Sequence, residues 1–446
     1  MVTVSAYNSD RTAQRVLNNA AWLVFGRITR LTIGVAVSVW VARYLRPADF
    51  GLLASAIALV SILAVVGRLG MNPIVVRDLV RQPESARELL GTIFAIRVVS
   101  AVIGLATAIF VGWFYFGNHE VGTWLFVLVG LSLLPQSFFR SLELWFQSQI
   151  NAKPLVVIET ISFVVTAAAR IALLAAGASL IYFATIPLLT AIFSALGLAW
   201  ILRSRLNRII TFKPDLTMAG NLLRDNWSMM LSQVAGIIYL RIDQLMLATM
   251  KGTSDAGIYA AALRISEVWY FMPAAICISL KPALTRLRDN NRERYLQVLQ
   301  GMFSTMTALA LVVAIPITFL AAPAVDFLYG ADYAAAAPVL VIHIWTALFV
   351  FWKRAQSEWL INDGHLKFGL CRALLGAATN IALNAILIPQ YGPIGAATAT
   401  LVSCFVSVVP VNLLFAPARP ILRMQLRSLL FIGLGPTIKQ GLGRPR

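Results

Sequence analysis

The sequence predicts an all-α polytopic membrane protein, with about twelve transmembrane helices in two pseudo-symmetric six-helix lobes. Hydrophobic residues make up 59% of the chain, charged residues only 13%, and the mean hydropathy is +0.78. Many windows of about 20 residues carry few charges, which is the length that crosses a bilayer core. A segment beginning at Val41 also realigns with one beginning at Leu247, close to half a chain length further on.

The repeated segment predicts two related bundles in tandem. VARYLRPADFGLLASA realigns with LATMKGTSDAGIYAAA at a constant offset of 206 residues. Each copy leaves one long apolar stretch, passes through a short polar loop and enters the next. The matched positions are Ala42 with Ala248, Asp49 with Asp255, Gly51 with Gly257, Ala54 with Ala260, and Ala56 with Ala262. Such symmetry is typical of transporters whose substrate site lies between the repeats.

The apolar stretches define the elements in chain order. The predicted spans are 18–42, 50–71, 89–113, 121–147, 154–176, 179–202, 222–249, 256–280, 297–322, 338–361, 369–389 and 393–416. Each is expected to be helical, because the bilayer offers no water to satisfy free backbone N–H and C=O groups. The predicted domains are a cytoplasmic tail at 1–17, a lobe at 18–202, a linker at 203–221, a second lobe at 222–416 and a basic tail at 417–446.

Basic residues predict the orientation of these spans. With both termini cytoplasmic, the cytoplasmic loops and tails hold 22 Lys and Arg residues, whereas the opposite loops hold Arg43, Arg46 and Lys251. An excess of this size sets topology by the positive-inside rule and requires an even number of spans. The net charge of +18 therefore reports topology. It does not predict nucleic-acid binding, because the basic residues lie in short loops between spans.

Several enzyme classes lack their motifs in this sequence. There is no G-x-x-x-x-G-K-[ST] phosphate-binding loop, no G-x-S-x-G nucleophile elbow and no H-E-x-x-H zinc motif. The three cysteines follow no metal-ligand spacing. No predicted loop exceeds about 20 residues, which leaves no room for a soluble catalytic domain. We therefore expect a transporter that is not an enzyme and that uses neither a cofactor nor a bound metal.

Arginines inside the predicted spans are the strongest candidates for substrate contacts, because a charge at the bilayer centre costs on the order of 3 kcal/mol or more. Arg27 and Arg30 lie on one face of the first span and have no acidic neighbour in the same helix. Arg68 lies near the end of the second span, and Arg264 lies in the eighth. Guanidinium binds phosphate through paired hydrogen bonds, so this excess predicts a polyanionic head group. A cation exporter would instead carry an excess of carboxylates.

Internal ion pairs and lipid contacts are the structural alternatives for these charges. Three pairs have the i,i+3 or i,i+4 spacing that places both side chains on one helix face. They are Arg140 with Glu143, Arg264 with Glu267, and Arg354 with Glu358. Each could do no more than fix helix packing, and Arg68 could extend its guanidinium to the lipid head groups.

Polar and aromatic side chains in and near the spans are candidates for contacts with sugar. They are Asn19, Asn226, Trp227, Gln233, Tyr239, Trp269 and Tyr270. Aromatic residues near span ends also form the interfacial belt expected of any membrane protein. Two acidic residues, Asp243 and Glu358, are candidates for coupling transport to a gradient of H⁺ or Na⁺.

Three segments resemble blocks of a known family. RIDQLMLATMKGTSDAGIYAAALRISE, from Arg241 to Glu267, resembles the D-x-L-M-L … G-x-Y-x-A-A-x-R-I-x-E pattern of the oligosaccharide flippase (Wzx-type polysaccharide export) family of the MOP superfamily. VARYLRPADFGLLASAIALV, with GRLGMNPIVVRDL after it, resembles the N-terminal block of that family. IPQYGPIGAATATLVS, from Ile388, resembles its block at spans 11 and 12. The resemblance covers nearly the whole chain.

The resemblance implies a V-shaped, MATE-like pair of lobes that works by alternating access. It implies translocation of an undecaprenyl-pyrophosphate-linked oligosaccharide across the bacterial cytoplasmic (inner) membrane, for O-antigen, capsule or exopolysaccharide export. Membrane lipids and a polysaccharide polymerase complex are the implied partners. Relatives hold the pyrophosphate with cationic residues in spans 1, 2 and 8. Arg27 and Arg264 match these positions best, and Arg68 matches loosely.

Three other functions stay open on the sequence alone. A multidrug or cation antiporter of the same superfold would show a cavity lined mainly by acids. An amino-acid or sugar permease of unrelated fold would lack the two-lobe symmetry. A membrane-embedded glycosyltransferase or ligase would incorporate labelled sugar as the purified protein.

Overall fold

The structure, a computed structural model, describes residues 2–68, 70–117, 121–149, 153–203 and 214–433. Side chains at 2–25, 27, 28, 32, 73, 279 and 282 lie outside the described set. Over these ranges the regular structure is helical throughout, with no strand. The chain divides into two compact units. Unit 1 comprises Met1–Leu45 and Leu52–Val234, and unit 2 comprises Arg46–Gly51 and Ala235–Arg446.

Unit 1 is built from the first seven helices and the beginning of the eighth. They are α1 (Val2–Arg68), α2 (Asn72–Arg81), α3 (Ala86–Phe116), α4 (Gly122–Leu131), α5 (Leu133–Ser148), α6 (Lys153–Ala175), α7 (Leu180–Leu202) and α8 (Leu216–Met250). One buried cluster joins Leu90 and Ile93 of α3 to Phe139 and Leu142 of α5 and Leu198 of α7. This core fixes which faces of α3 and α5 turn inward, and it thereby sets where their arginines lie.

Unit 2 contains the rest of α8 and eight further helices. They are α9 (Thr253–Glu267), α10 (Phe271–Asn290), α11 (Arg292–Tyr329), α12 (Ala336–His343), α13 (Thr346–Asn362), α14 (Leu366–Val408), α15 (Val411–Leu414) and α16 (Arg419–Ser428). Its largest core cluster packs Phe303 of α11 against Phe351 and Trp352 of α13. The indole N–H of Trp352 donates to Thr307 Oγ1 at 2.8 Å, which satisfies its one donor inside the core.

Nine helical stretches in the described residues are long and apolar enough to cross a membrane. Two of them, Thr29–Arg68 and Leu366–Leu414, each cover two of the spans predicted from the sequence. The predicted span 222–249 lies in α8, which is not among the nine. The total of twelve spans therefore stays a prediction, whereas the all-helical membrane fold is confirmed.

Non-helical backbone divides two of the long helices at prolines and glycines. In α1, Arg46 has φ 58° and ψ 170° and is followed by Pro47. In α14, Gly392 has φ 54° and lies between Pro389 and Pro393. Proline lacks an N–H and clashes with the preceding turn, so a helix bends or breaks there. These breaks separate the predicted spans 18–42 and 50–71, and likewise 369–389 and 393–416.

The repeat found in the sequence returns as a repeated backbone turn. Position 46 in the first copy corresponds to position 252 in the second. Gly252 has φ 103° and ψ 169°, close to the left-handed φ and extended ψ of Arg46. Glycine adopts such a φ without strain, whereas arginine does so at a cost. The shared turn is independent support for the realignment made on sequence.

Candidate functional site

An ion-pair network in unit 1 holds one of the predicted substrate arginines. Arg30 Nη2 lies 3.4 Å from Glu159 Oε2, and Arg30 Nη1 donates to Thr160 Oγ1 at 3.2 Å. Arg140 Nη1 donates to the other Glu159 oxygen at 3.1 Å and to Glu143 Oε2 at 2.9 Å. Glu159 thus bridges α1 and α5 from its position on α6. Arg30 has no acidic neighbour in its own helix, as predicted, but α6 supplies one.

The other predicted head-group ligands are distributed over both units. The side chain of Arg27 lies outside the described residues. Arg68 belongs to unit 1, is partly buried, and donates from Nε to the Ala64 carbonyl oxygen at 3.3 Å. Arg264 belongs to unit 2 and is exposed. Among the side chains that the structure describes, neither Arg68 nor Arg264 has a carboxylate within ion-pair distance.

Only one of the three ion pairs suggested by helix spacing forms. Arg140 pairs with Glu143. Glu267 pairs with Arg241 of α8, through hydrogen bonds of 2.9 Å and 3.3 Å, and not with Arg264. The expected Arg264–Glu267 pair is therefore wrong. The Glu267 carboxylate accepts one hydrogen bond from each terminal nitrogen of the Arg241 guanidinium, and this bidentate arrangement is stronger than a single hydrogen bond.

The third suggested pair, Arg354 with Glu358, is absent from the ion pairs of the described side chains. Glu358 is 4% exposed, and its Oε2 has no hydrogen-bond partner within the described part of the chain. Arg354 on the same helix is exposed. A buried carboxyl oxygen without a hydrogen-bond donor is costly. Glu358 is therefore a candidate to bind a proton or a cation.

Asp243 is the centre of a polar cluster in unit 2. It is 1% exposed and accepts hydrogen bonds from the Tyr259 hydroxyl, from Thr400 Oγ1 at 2.9 Å, and from the Gln244 N–H at 2.8 Å. All three partners donate, which fits the ionised carboxylate. In the described residues no cation lies within ion-pair distance of it. The cluster therefore buries a carboxyl group whose oxygens accept hydrogen bonds and which has no ion-pair partner among the described side chains.

Two asparagines extend this cluster along α14. Asn380 donates to Thr400 Oγ1 at 3.4 Å, and Asn384 donates to Asn380 Oδ1 at 3.0 Å. Both are fully buried, and Asn384 Oδ1 has no partner among the described residues. Carboxylate, hydroxyl and amide oxygens together are the donors preferred by hard cations. The arrangement is chemically able to exchange a proton or to hold a small cation.

The predicted sugar contacts early in α8 differ widely in exposure. The side chain of Asn19 lies outside the described residues. Asn226 is 3% exposed, and its Nδ2 donates back to the Leu222 carbonyl oxygen at 2.8 Å. Trp227 is 58% exposed. Gln233 is exposed and lies 3.4 Å from the Gly70 carbonyl oxygen. Trp227 and Gln233 are thus accessible to a ligand or to lipid, whereas Asn226 is occupied by its own helix.

The three remaining candidates for sugar contact are packed in unit 2. Tyr239 is 1% exposed, and its hydroxyl accepts a hydrogen bond of 2.9 Å from Lys353, whose ammonium also lies 4.1 Å from the ring centroid. Tyr270 shares a 2.6 Å hydrogen bond with Thr346. Trp269 packs against the core cluster of unit 2 that contains Phe303 and Phe351, and its indole N–H has no partner among the described residues. These contacts show ordinary packing, and a sugar role for them stays a prediction.

Sequence reasoning missed Thr400, Asn380, Asn384 and Lys353. Each is a polar residue inside a predicted span, and the sequence carries that signal. Their spacing gives no hint that α14 would bring three of them beside Asp243, which lies 157 residues from Thr400.

The chain is similar in sequence to proteins of polysaccharide assembly. Residues 40–338 match the family described as "Polysaccharide biosynthesis protein". The chain is 30% identical over 176 residues to the Haloferax volcanii protein named "Probable flippase AglR", covering 37% of this chain and 35% of that one. It is 25% identical over 351 residues to the "Succinoglycan biosynthesis transport protein ExoT" of Rhizobium meliloti, covering 74% and 65%. The chain thus spans less than two thirds of the length of either relative.

Two solved structures share the fold. The lipid II flippase MurJ in its inward closed conformation superposes with a TM-score of 0.73 at 17% identity, covering 96% of both chains. An inward-facing multidrug resistance MATE family transporter of the MOP superfamily superposes with a TM-score of 0.65 at 14% identity, covering 91% of this chain and 98% of that one. The family match extends over more than half of the chain. The protein is therefore a multi-pass membrane protein with the fold that these transporters share, and it belongs to the family described as polysaccharide biosynthesis proteins.

Proposed function

We propose that this protein moves a lipid-linked oligosaccharide across the cytoplasmic membrane by alternating access, as a transporter and not as an enzyme. The substrate is an undecaprenyl-pyrophosphate-linked repeat unit destined for O-antigen, capsule or exopolysaccharide. Both termini face the cytoplasm. The polyprenyl tail stays in the bilayer while the diphosphate and the glycan cross through a hydrated path, and no covalent bond forms or breaks.

The observation that carries this proposal is the surplus of cationic side chains in apolar helices. Arg68 and Arg264 each lie in a candidate span and have no carboxylate partner among the described residues. An uncompensated guanidinium in a membrane helix needs water or an anion, and a diphosphate supplies charge and paired acceptors together. The similarity to a protein named as a probable flippase and to one named as a succinoglycan biosynthesis transport protein supports a role in moving a polysaccharide precursor.

The diphosphate is held by Arg27, Arg30, Arg68 and Arg264 in this proposal. Arg30 already forms an ion pair with Glu159 at 3.4 Å. It therefore contributes positive charge at a fixed position, and fewer of its N–H groups are available to the diphosphate. The glycan contacts Asn19, Asn226, Trp227, Gln233, Tyr239, Trp269 or Tyr270. Of these, the exposed Trp227 offers the ring face that sugar stacking needs.

Energy for the cycle comes from an H⁺ or Na⁺ gradient coupled through Asp243, with Glu358 as a second acid. Support for Asp243 is its buried, hydrogen-bonded and unneutralised charge beside the oxygen-rich Asn380–Asn384 pair. Binding a proton or a small cation would remove the penalty of that buried charge, so occupancy and conformation can be linked. A polysaccharide polymerase complex is the partner expected to consume the flipped substrate.

The proposal is tested by locating lipid-linked oligosaccharide in a strain that lacks the gene. We expect complete repeat units to accumulate on the cytoplasmic face and the wild-type gene to restore external exposure. Arg264→Gln should fail to restore it at equal expression. Arg224→Gln is the matched control, because that side chain is 78% exposed and contacts Asn221 and Asp225 of its own helix. Normal exposure of the glycan in the deletion strain, without a redundant flippase, would refute the proposal.

A multidrug or cation antiporter is the second candidate, favoured by the structural similarity to the MATE transporter. Asp243 and Glu358 would then bind the cationic substrate directly. Proteoliposomes containing the protein separate the two functions. Efflux of a cationic dye driven by an imposed gradient, together with no movement of a fluorescent lipid-linked glycan, would favour the antiporter.

A further inference from the structure

A cleft in unit 1 is lined by three arginines that come from three different helices. It lies among α1, α3 and α5 and is partly open to its surroundings. Arg68, Arg97 and Arg140 line it together with Gln136 and Ser137, and the remaining wall is largely aliphatic. No carboxylate lines the cleft in the described part of the chain. Aliphatic walls exclude water and so strengthen electrostatic attraction inside the cleft.

Arg97 is the least satisfied of these side chains. It is 2% exposed, and its Nη2 donates to Asn72 Oδ1 at 2.8 Å. Its Nε and Nη1 are buried and have no acceptor among the described residues. A buried charged donor left unpaired costs about 1–3 kcal/mol or more, so an acceptor that binds in the cleft would relieve that cost. Nε and Nη1 of Arg97 point to different sides of the guanidinium, so they can donate to two separate acceptor oxygens.

The charge of the surrounding network is unbalanced in favour of an anion. Arg140 lines the cleft and is tied to Glu143 at 2.9 Å and Glu159 at 3.1 Å. Glu159 is shared with Arg30 at 3.4 Å. Arg68 and Arg97 have no such partner among the described side chains. Two carboxylates therefore offset two of four arginines, and two positive charges remain.

We propose that this cleft is a diphosphate-binding subsite and that Arg97 grips the diphosphate through its free Nε and Nη1 donors. The assignment rests on the proposed function for its substrate, a diphosphate esterified at both ends by the lipid and the sugar. Such a diester carries one ionised oxygen on each phosphorus, which matches the two uncompensated charges. Arg68 supplies the second guanidinium, and Gln136 and Ser137 supply neutral donors. Arg97 and Arg140 thereby join the residues that recognise the substrate.

The test measures binding of an undecaprenyl-diphosphate-linked monosaccharide, which is a diphosphate esterified at both ends, to the full-length purified protein in phosphatidylcholine nanodiscs. Arg97→Gln removes the free donors, and we expect affinity to fall about 10- to 100-fold, as for the loss of one or two charge-assisted hydrogen bonds. Glu159→Gln removes one compensating negative charge while keeping an amide for hydrogen bonding, so affinity should rise several-fold. Opposite signs in the two variants would be hard to produce by general loss of structure.

Arg372→Gln is the matched control. Arg372 in unit 2 is 4% exposed and also has Nε and Nη1 without partners in the described part of the chain, but it lies outside the cleft. We expect its substitution to leave the affinity unchanged. An equal loss in Arg372→Gln and Arg97→Gln would overturn the proposal. The melting temperature of unliganded Arg97→Gln should not fall, because the change removes an unsatisfied buried charge.

Competition experiments distinguish the possible sources of the phosphate. Inorganic pyrophosphate should compete weakly and phosphatidylglycerol should not compete, if the cleft recognises the lipid-linked diphosphate. Equal competition by phosphatidylglycerol would overturn the assignment in favour of a general lipid head-group site. If Arg97→Gln binds the probe as tightly as wild type, the cleft is not the diphosphate-binding subsite, but the proposed flippase function is unaffected. A wild-type protein that neither binds the undecaprenyl-diphosphate-linked monosaccharide nor moves the glycan lipid would overturn the proposed function itself.

Discussion

Gly51 and Gly257 lie against each other at the crossing of the two repeat copies within unit 2. A methyl group on Gly51 would collide with the carbonyl oxygen of Thr253, and one on Gly257 would collide with that of Pro47. Position 47 corresponds to 253 under the same offset that relates 51 to 257. A Cβ on Gly257 would also lie 3.1 Å from the Gly51 amide nitrogen. The contact is therefore reciprocal, as expected for two copies of one motif related by an approximate two-fold axis.

Gly257→Ala should destabilise the protein by about 3 kcal/mol, the upper end for overpacking, because backbone atoms cannot give way as a side chain can. Gly51→Ala should have a similar effect. Gly236→Ala is the control, since nothing lies within 4 Å of its added methyl and alanine favours the helix. The melting temperature in detergent measures all three. A Gly257→Ala protein as stable as wild type would show that the close crossing is not rigid.

Asp243→Asn should abolish gradient-driven transport while the protein stays folded. The amide cannot change charge when a proton or cation binds, so the link between gradient and conformation is lost. We expect a decrease of more than about 10-fold in the rate of gradient-driven movement, equivalent to 1.4 kcal/mol or more. Stability should be unchanged or higher, because a buried unneutralised charge is removed. Proteoliposomes with an imposed Na⁺ or pH gradient provide the measurement.

The control for this variant is Asp225→Asn, whose side chain is 67% exposed at the start of α8. It should transport normally. If Asp243→Asn keeps its full response to both gradients, Asp243 is a structural acid and the coupling group must be sought elsewhere, with Glu358 next.

The Arg241–Glu267 pair should show strong coupling in a double-mutant cycle. Its two hydrogen bonds join α8 to α9, and its side chains are 31% and 21% exposed. We expect a coupling energy of about 1–3 kcal/mol from the melting curves of Arg241→Gln, Glu267→Gln and the double variant. The same cycle on the exposed Arg224–Asp225 pair should give at most about 0.5 kcal/mol. Equal coupling in the two cycles would contradict the buried, bidentate geometry.

Asp363 should make stability depend on acid pH. Burial alone would raise the pKa of this carboxyl, but hydrogen bonds from Arg292 and Arg288 outweigh burial and hold the pKa below its usual range. A carboxyl with a depressed folded-state pKa stabilises the protein above the unfolded-state pKa. That stabilisation is lost as the pH falls through the folded-state pKa.

The measurement is the melting temperature of wild type and Asp363→Asn between pH 7 and pH 3. At pH 7 wild type should be more stable by about 1–3 kcal/mol, the range for hydrogen bonds to a charged group. That difference should shrink as the pH falls below the unfolded-state pKa of the carboxyl. A difference that is independent of pH would mean that Asp363 acts through neutral packing and not through its charge.

Patterns that depend on local chemistry were readable in the sequence. The constant offset of 206 residues relates Gly51 to Gly257 and position 46 to position 252. The i,i+3 spacing within one helix indicates the Arg140–Glu143 pair. Partners from distant helices were not readable. Arg30 finds Glu159, and Asp243 finds Thr400, because packing rotates each helix to a particular face. Helix spacing suggested that Glu267 pairs with Arg264, but Glu267 pairs with Arg241 of the neighbouring helix.

The sequence by itself determined that this chain spans a membrane as helices, repeats a motif across its two halves and carries more arginine than acid. Those properties follow from transfer free energies and from local periodicity, and both are functions of residue type and order. The tertiary structure alone decided which arginines are neutralised. Ion pairing depends on distances of a few ångströms between side chains on different helices, so it is set by packing. Packing pairs Glu143 and Glu159 with Arg30 and Arg140, and it leaves two donors of Arg97 without an acceptor in the part of the chain that the structure describes.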